Sequence, residues 1–225
     1  MFSGASSFVE KTDAALWFIV GLSAIVFVGI VVTIIYFVVH YSRKKNPHPT
    51  NIDGHLGLEL TWTLIPLGLF MGMFYMGWSG YRDIRNVPDD AMVVKVTARM
   101  WQWSFEYPNG IKTDTLHAVI YTPMRLNLTS MDVNHSLYIP AFRIKKDVIP
   151  GRKNVMWFKA IERGAYDIAC AEFCGLQHAY MYTKVIVDDS ASFDRWYAAV
   201  SAKQGRKFDS LLAPKPIVPE SDQLN

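Results

Sequence analysis

The residues with the clearest chemistry lie within one twelve-residue stretch, 170–181. It holds both cysteines of the chain, Cys170 and Cys174, followed by His178 and Met181. Two thiolates, an imidazole and a thioether form a soft ligand set, which favours copper or zinc over magnesium or calcium. A further histidine, His135, is expected at the end of a strand in the segment 132–140. The pattern therefore predicts a metal site, and the rest of the chain must position it.

Two long apolar runs in the N-terminal third predict a membrane hairpin. Residues 14–39 carry no charge and would extend about 39 Å as a helix, which is enough to cross a bilayer. The first run is too long for the apolar core of a cleaved signal peptide. Residues 60–81 form the second span, with Pro66 as a potential kink and aromatic residues near its ends. Two spans place both termini on the same side of the membrane.

The charges near the hairpin predict its orientation. Residues 43–45, Arg-Lys-Lys, directly follow the first span, whereas the other flanks mix acidic and basic residues. Basic loops stay in the cytoplasm, so both termini and everything after residue 81 are expected outside it. The hairpin is expected in a bacterial inner membrane, with the following domain periplasmic or extracellular. The formal net charge of +3 is not gathered into a basic stripe, and this excludes nucleic-acid binding.

After the hairpin the pattern changes to short segments rich in β-branched and aromatic residues. Strands are predicted at 93–97, 101–107, 125–129, 155–159 and 183–187, separated by proline and glycine turns. Without intervening helical patterns, they indicate an antiparallel sandwich or small barrel. Ser190 is expected to cap one amphipathic helix, and the tail beyond Lys207 is expected to be loosely ordered. The predicted domains are 1–90, 91–189 and 190–225.

Four kinds of site fit the cysteine pair. Outside the cytoplasm a Cys170–Cys174 disulfide is the simplest interpretation. A zinc tetrahedron of both cysteines with His178 and His135 leaves Met181 unused. A mononuclear blue-copper site uses both histidines and the methionine but leaves one cysteine unused. Two coppers bridged by both thiolates use every ligand, and this arrangement accounts for the most residues.

These motifs carry a family resemblance. Cys-x-Glu-x-Cys-Gly-x-x-His-x-x-Met at 170–181, Asp-Val-x-His-Ser at 132–136 and Pro-Gly-Arg at 150–152 resemble subunit II of the cytochrome c oxidases, over about 200 residues. The resemblance implies a membrane-anchored all-β chain, with a helical hairpin, a cupredoxin-like sandwich and a short C-terminal helix. It also implies an electron-transfer function, with a dinuclear copper centre, Cu-A, that receives electrons from a c-type cytochrome. Subunit I, where a haem reduces oxygen, would be the partner, with subunit III and membrane lipid as further contacts.

The resemblance also assigns roles to individual residues. Cys170 and Cys174 would bridge the coppers, His135 and Met181 would complete one copper, and His178 the other. The main-chain carbonyl of Glu172 would join His178 as a ligand, while its side chain would be free to hold magnesium or manganese at the contact with subunit I. Two further residues would serve electron and proton transfer. Trp101 would accept the electron from the cytochrome, and Glu59 would lie at the cytoplasmic mouth of a proton channel.

Several departures and alternatives remain open at this point. Gln102 stands where the family usually has an aromatic residue, and Met131 where many relatives have an acidic one. Without that acidic residue, a weaker attraction of a strongly basic cytochrome is expected. A copper subunit of a nitric oxide reductase would share the same domain. A copper-free structural subunit would carry a disulfide, and a thioredoxin-like copper chaperone would need crossover helices that the strand pattern lacks.

Overall fold

The computed structural model describes residues 4–48, 50 and 53–212, and it divides into two compact units. One unit contains the helical segment, residues 7–88. The other contains residues 4–6 together with the β-rich part of the chain from residue 89 onward.

The helical unit is a hairpin of two long helices, α1 (Val9–His40) and α2 (Leu56–Arg85). By length and composition both can cross a membrane. Each helix extends beyond the predicted span, because the polar first and last turns are helical too. Lys11 in the first turn of α1 forms an ion pair with Asp83 in the last turn of α2, so the two helices run antiparallel.

The start of α2 is held by a reciprocal cap. The Nδ1 atom of His55 accepts a hydrogen bond from the backbone N–H of Leu58 at 3.1 Å. In return, the backbone N–H of His55 donates to Oε1 of Glu59 at 3.4 Å. This exchange satisfies two groups that a helix start leaves without partners. Pro66 lies inside α2 without ending it.

The β-rich unit is a sandwich of two five-stranded sheets. The first sheet has the strand order β3-β2-β1-β5-β8, and the second has the order β4-β10-β9-β6-β7. The strands are β1 (Met92–Arg99), β2 (Gln102–Glu106), β3 (Lys112–Thr113), β4 (Leu116–Val119), β5 (Pro123–Ser130), β6 (His135–Ile139), β7 (Ile144–Val148), β8 (Asn154–Lys159), β9 (Gly164–Cys170) and β10 (Tyr182–Asp188).

The five predicted strands match β1, β2, β5, β8 and β10, and the expected sandwich is confirmed. Of the other five strands, β6 was expected only as a strand within the segment 132–140, and β3, β4, β7 and β9 were not predicted. Burial on both faces leaves β6 without alternation, and the other four strands are short or interrupted by polar residues. The sheets are also not purely antiparallel, since β1 pairs with β5 and β4 with β10 in parallel. Long connections through the opposite sheet make such pairs possible.

The core lies between the two sheets and is built from alternate residues of their strands. In β1, for example, Val94, Val96 and Ala98 are fully buried, while their neighbours face outward. Burial of apolar area at roughly 25 cal/mol per Å² makes this core the main source of stability. It is the rigid support on which loops at the ends of the strands can hold a site.

Residues 4–6 form part of the sandwich although they precede α1 in sequence. The backbone N–H of Ala5 donates to Ala141 O, and Ala5 O accepts from the N–H of Ile161, both at 2.9 Å. The hydroxyl of Ser6 donates to Phe142 O at 2.9 Å. Both Ala5 and Ser6 are buried. The N-terminal segment therefore closes one side of the domain.

A third helix, α3 (Ser190–Leu212), follows the last strand. The predicted cap is wrong by one residue: the carboxylate of Asp189, rather than Ser190, accepts from the backbone N–H of Ser192 at 2.8 Å. Asp189 lies one residue before the helix, where its side chain can reach the free N–H groups of the first turn.

The helix is longer than the short element expected from the sequence and continues past Lys207. The rest of the predicted loose tail, residues 213–225, lies outside the described residues.

Aromatic side chains attach α3 to the sandwich. Phe193 is buried, and the Trp196 ring stacks on His117 of β4 with 3.8 Å between centroids. Tyr107 Oη donates to His117 O at 2.9 Å and accepts from its backbone N–H at 2.7 Å. Burial lowers the pKa of His117, although the nearby carboxylate of Asp188 acts in the opposite direction. The neutral imidazole is therefore the form that fits under the helix.

We predict that acidification loosens α3. The pKa of His117 is lower in the folded state than its ordinary value near 6.5. The stability that the neutral imidazole contributes is therefore fully present above about pH 6.5 and is lost progressively as the pH falls toward the folded-state pKa. Hydrogen exchange of α3 amides, measured by mass spectrometry at pH 7.5 and 5.5 and corrected for intrinsic rates, should show weaker protection at pH 5.5. In His117→Gln, protection should depend less on pH; an equally steep dependence in that variant would contradict the prediction.

Candidate metal centre

The pairing of β6 with β9 brings the first ligands together. Leu137 of β6 lies opposite Cys170, the last residue of β9, and the N–H of Ala171 donates to Ser136 O at 3.0 Å. This register places His135, the first residue of β6, beside the end of β9. The sequence interpretation put His135 at the end of a strand; it is in fact at the start of one, because the chain turns at 131–134 before entering β6.

The remaining ligands lie on the loop between β9 and β10. The N–H of Cys170 donates to Met181 O at 3.2 Å, which closes the loop at its base. A single 3₁₀ turn, His178–Tyr180, orients the histidine. Gly175 has a φ of +117°, a conformation that residues with a Cβ rarely adopt. The loop thus folds back on itself directly after Cys174.

Five side chains converge at this end of the sandwich. The Sγ atoms of Cys170 and Cys174 are 3.8 Å apart and are not bonded to each other. The Nδ1 atom of His135 lies 3.9 Å from Cys170 Sγ. On the other side, Cys174 Sγ lies 3.6 Å from Nδ1 of His178 and 3.8 Å from Sδ of Met181. All except the partly exposed His178 are buried.

These separations fit a metal centre. Donor atoms bound to one ion at roughly 2.0–2.3 Å lie about 3.3–3.8 Å from one another in a tetrahedron, close to the observed distances. Ligand atoms of His135, Cys170 and Cys174 all lie within 4.8 Å of one another. The thioether of Met181 is part of the same cluster, and thioethers are ligands typical of copper rather than zinc.

Glu172 contributes to the cluster through its backbone rather than its side chain. Its carbonyl oxygen lies 3.3 Å from Cys170 Sγ, facing the ligands. Its carboxylate instead accepts a hydrogen bond from Nζ of Lys145 at 2.7 Å. Lys145 also lies 3.5 Å from the carboxylate of Asp147. The side chain that the resemblance left free is therefore already paired within the chain.

Asp132 fixes the orientation of His135. Its Oδ1 atom lies 2.8 Å from Nε2 of His135, which leaves Nδ1 facing the sulfurs. The same carboxylate accepts from the backbone N–H groups of Met100 at 2.6 Å and Val133 at 2.7 Å. Desolvation raises the pKa of Asp132, but the hydrogen bonds from Met100, His135 and Val133 outweigh it and lower the value to about 2. The residue is therefore a permanent anion behind the ligand.

Trp103 supports the site from the opposite sheet. Its ring meets the His135 ring edge-on at 6.1 Å between centroids. Its indole N–H donates a long hydrogen bond, 3.4 Å, to Met181 O. Trp103 is almost completely buried, so one large side chain packs behind two of the ligands.

Burial also determines the protonation of the Cys174 thiol. Desolvation raises the pKa of the Cys174 thiol to about 11, and the neighbouring Cys170 sulfur adds to the effect. Without a bound cation, Cys174 is therefore a neutral thiol at physiological pH. A metal ion must displace its proton on binding, which makes binding a proton-releasing step.

Trp101 lies against the cysteine loop. It occupies the turn between β1 and β2, and a Cβ placed on Gly175 would lie 3.4 Å from its Nε1 atom. The ring therefore packs on the backbone directly after Cys174. Its buried indole N–H has no hydrogen-bond acceptor within the described part of the chain.

The structure brings together six of the eight residues singled out from the sequence, and it places Trp101 beside them. Glu59 belongs to the helical unit, where its carboxylate caps α2. Sequence reasoning did not single out Asp132, Lys145 or Trp103 as residues of the site. The only available signal was the position of Asp132 three residues before His135, because partners of buried ligands depend on tertiary contacts.

Two family descriptions match this chain. Residues 1–74 match the transmembrane domain of cytochrome c oxidase subunit II, and residues 111–189 match its periplasmic domain. The chain is also 30% identical to the periplasmic domain of subunit II of the cytochrome oxidase of Bradyrhizobium japonicum. That crystal structure superposes with a TM-score of 0.51, and the match covers 52% of this chain and 99% of the Bradyrhizobium chain.

Full-length relatives carry the same name. Cytochrome c oxidase subunit 2 of Alkalihalophilus pseudofirmus is 32% identical over 82% of this chain, which spans 58% of that relative's length. The subunit of Cereibacter sphaeroides is 26% identical over 80% of this chain and 72% of its own length. Matches in both the hairpin and the sandwich, together with this ligand cluster, show that the chain belongs to the cytochrome c oxidase subunit II family.

Proposed function

We propose that this chain is the electron-transfer subunit of a terminal respiratory oxidase. It accepts electrons from a c-type cytochrome at a dinuclear copper centre, Cu-A, and passes them to a haem of subunit I, where oxygen is reduced to water. The observation that carries this proposal is the convergence of the two thiols, two imidazoles, one thioether and one carbonyl at a single end of the sandwich.

Each donor has a place in this proposal. Cys170 and Cys174 would hold both copper ions through their thiolates. His135 and Met181 would complete one copper, and His178 with the carbonyl of Glu172 the other. When bound, a copper pair stores one electron and releases it without transforming a substrate. The protein supplies a buried cage, attached to a rigid sandwich, whose donors are already close together; such preorganisation limits reorganisation during electron transfer.

Trp101 is the residue through which electrons enter the centre. Its packing against Gly175, one residue from Cys174, supports the role that the resemblance gives it, because the partly exposed ring lies against the backbone next to a cysteine. Among the clustered side chains, His178 is the partly exposed one, and it suits the face toward the haem subunit.

The proposal includes a magnesium or manganese ion at Glu172, which requires that its carboxylate be released from Lys145. Lys145 now holds this carboxylate, and the pair lies on the surface, where such pairs contribute little stability. A divalent cation shared with subunit I would have to displace the Lys145 ammonium group. Glu59 keeps its proposed place at the mouth of a proton channel, although its hydrogen bond to His55 explains its position without that role.

The proposed topology places both termini and the copper domain outside the cytoplasm of a bacterial inner membrane. The basic loop 43–45 supports this orientation. The pairing of residues 4–6 with the sandwich supports it too, because these residues precede the first span. Residues 1–90, 91–189 and 190–225 remain the proposed domains. Subunit I, subunit III and lipid are the proposed neighbours in the membrane.

Metal analysis and electron paramagnetic resonance of the purified chain test the copper centre. The proposal requires two coppers per chain and a hyperfine pattern from an electron shared by two copper nuclei. A pattern from a single nucleus would reject the dinuclear assignment, and stoichiometric zinc without copper would reject the function.

We predict that His178→Asn slows electron delivery to the haem by orders of magnitude, because one copper loses its only nitrogen donor. Insertion of the hairpin should be unchanged. Stopped-flow reduction of the haem in the purified oxidase complex measures the effect. His48→Asn, in the exposed loop between α1 and α2, is the matched control. Haem reduction at the normal rate in His178→Asn would rule out this ligand.

We also predict that Asp132→Ala lowers copper affinity about 10- to 100-fold, the range typical for removal of a residue that orients a metal ligand. Without its carboxylate, His135 loses the partner of Nε2 and the turn at Met100 loses an acceptor. Competition with a chromophoric copper chelator measures the affinity. Asp114→Ala removes an exposed carboxylate elsewhere and should leave it unchanged. Equal affinities in both variants would show that Asp132 does not support the site.

A further inference from the structure

The surface around Trp101 has an unusual composition for the docking of a basic protein. Trp101 and Met100 form the turn between β1 and β2, and Arg99 and Gln102 face each other across it. Three apolar side chains are exposed here: Met100 at 44%, Met131 at 70% and Leu176, next to Gly175, at 88%. We call the apolar residues Met100, Trp101, Met131 and Leu176 the docking face. Exposed apolar surface of this kind commonly marks a contact with another protein.

A groove of about 250 Å³ begins at the docking face and follows the outer side of the first sheet. It is lined by Thr97, Arg99, Gln102, Ser104, Glu106, Lys112 and Met131. Arg99 lies against the amide of Gln102 at the end of the groove nearest the turn.

The charges in this groove are predominantly positive. Its carboxylate, Glu106, is shared by two lysines, at 2.8 Å from Lys95 Nζ and 3.2 Å from Lys112 Nζ. These two contacts lower the pKa of Glu106, so its negative charge is already compensated. Two cations, Arg99 and Lys112, thus line the groove with one carboxylate, and Lys95 adds a third cation beside it. Asp114 borders a neighbouring groove, where Lys112 also contributes to the lining.

The carboxylate that binds the turn carrying Trp101 has its hydrogen bonds directed inward. Asp132 binds the N–H of Met100, the N–H of Val133 and Nε2 of His135. Its side chain is only 23% exposed. A basic partner would therefore meet the Arg99 guanidinium and exposed lysines before it met a carboxylate with free oxygen atoms.

We propose that the docking face receives an electron-carrier protein whose contact surface is apolar and whose rim is acidic. The apolar residues would exclude water over Trp101, and the cations of the groove would attract the acidic rim. This inference rests on the proposed function, because it concerns the donor that delivers electrons through Trp101.

The salt dependence of electron delivery tests the proposal. Two carriers are compared with the purified oxidase complex: a basic soluble cytochrome c, and the same protein made acidic by succinylation of its lysines. Stopped-flow measurements follow the second-order rate of carrier oxidation from 10 to 200 mM ionic strength, a range over which the screening length falls from about 30 Å to below 10 Å. At low salt the acidic carrier should react faster than the basic carrier. Its rate should then fall about tenfold as the ionic strength rises from 10 to 200 mM.

Variants identify the surface involved. Lys112→Gln should slow the acidic carrier about threefold at low ionic strength and make no difference at high ionic strength. Lys184→Gln, an exposed lysine of β10 in the other sheet, is the matched control and should leave both rates unchanged. Copper content is measured in every variant, so that a loss of metal is not mistaken for a loss of docking.

The outcomes separate this proposal from the function on which it rests. A faster reaction with the basic carrier at low salt would overturn the acidic rim and leave the electron-transfer function standing. Rates without salt dependence, or unaffected by Lys112→Gln, would also overturn it, as expected if another subunit covers the groove. If neither carrier reduces the complex although a small inorganic reductant does, the proposed delivery through Trp101 fails together with the docking proposal.

Discussion

The register between β6 and β9 is the constraint on which the candidate centre depends. It fixes His135 opposite the end of β9, from which both cysteines, the second histidine and the methionine follow on one loop. The hydrogen bond between Cys170 N–H and Met181 O closes that loop at its base. A shift of the register by one residue would turn Cys170 to the other face of its sheet. The core that holds the register therefore also holds the candidate ligands in place.

A second set of interactions links the candidate metal ligands to the surface. Asp132 contacts both the ring of His135 and the turn that carries Trp101. Gly175 brings the Trp101 ring against the backbone beside Cys174. The proposed route for the electron and the orientation of a ligand thus share the same few residues.

The ends of the β-rich unit are held by segments distant in sequence. Residues 4–6 pair beside Ala141 and Ile161, while α3 packs on β4 through stacked aromatic rings. These contacts cover surface that a small sandwich would otherwise leave exposed, and a smaller fraction of exposed apolar area means greater stability. Neither contact could be inferred from local patterns, since each joins segments separated by more than 70 residues.

The sequence by itself determined the features that depend on residue type and local spacing. The apolar runs predicted the two helices, alternation predicted the five regular strands, and the ligand motif identified the set of donors and, through its resemblance, the family. Only the tertiary structure decided which residues contact each other. Asp132 hydrogen-bonds His135, Lys145 pairs with Glu172, and Trp101 packs on Gly175. The parallel strand pairs within the sheets belong to the same group. These are long-range contacts, set by strand register and by competition between charged partners, and neither leaves a periodic trace in the sequence.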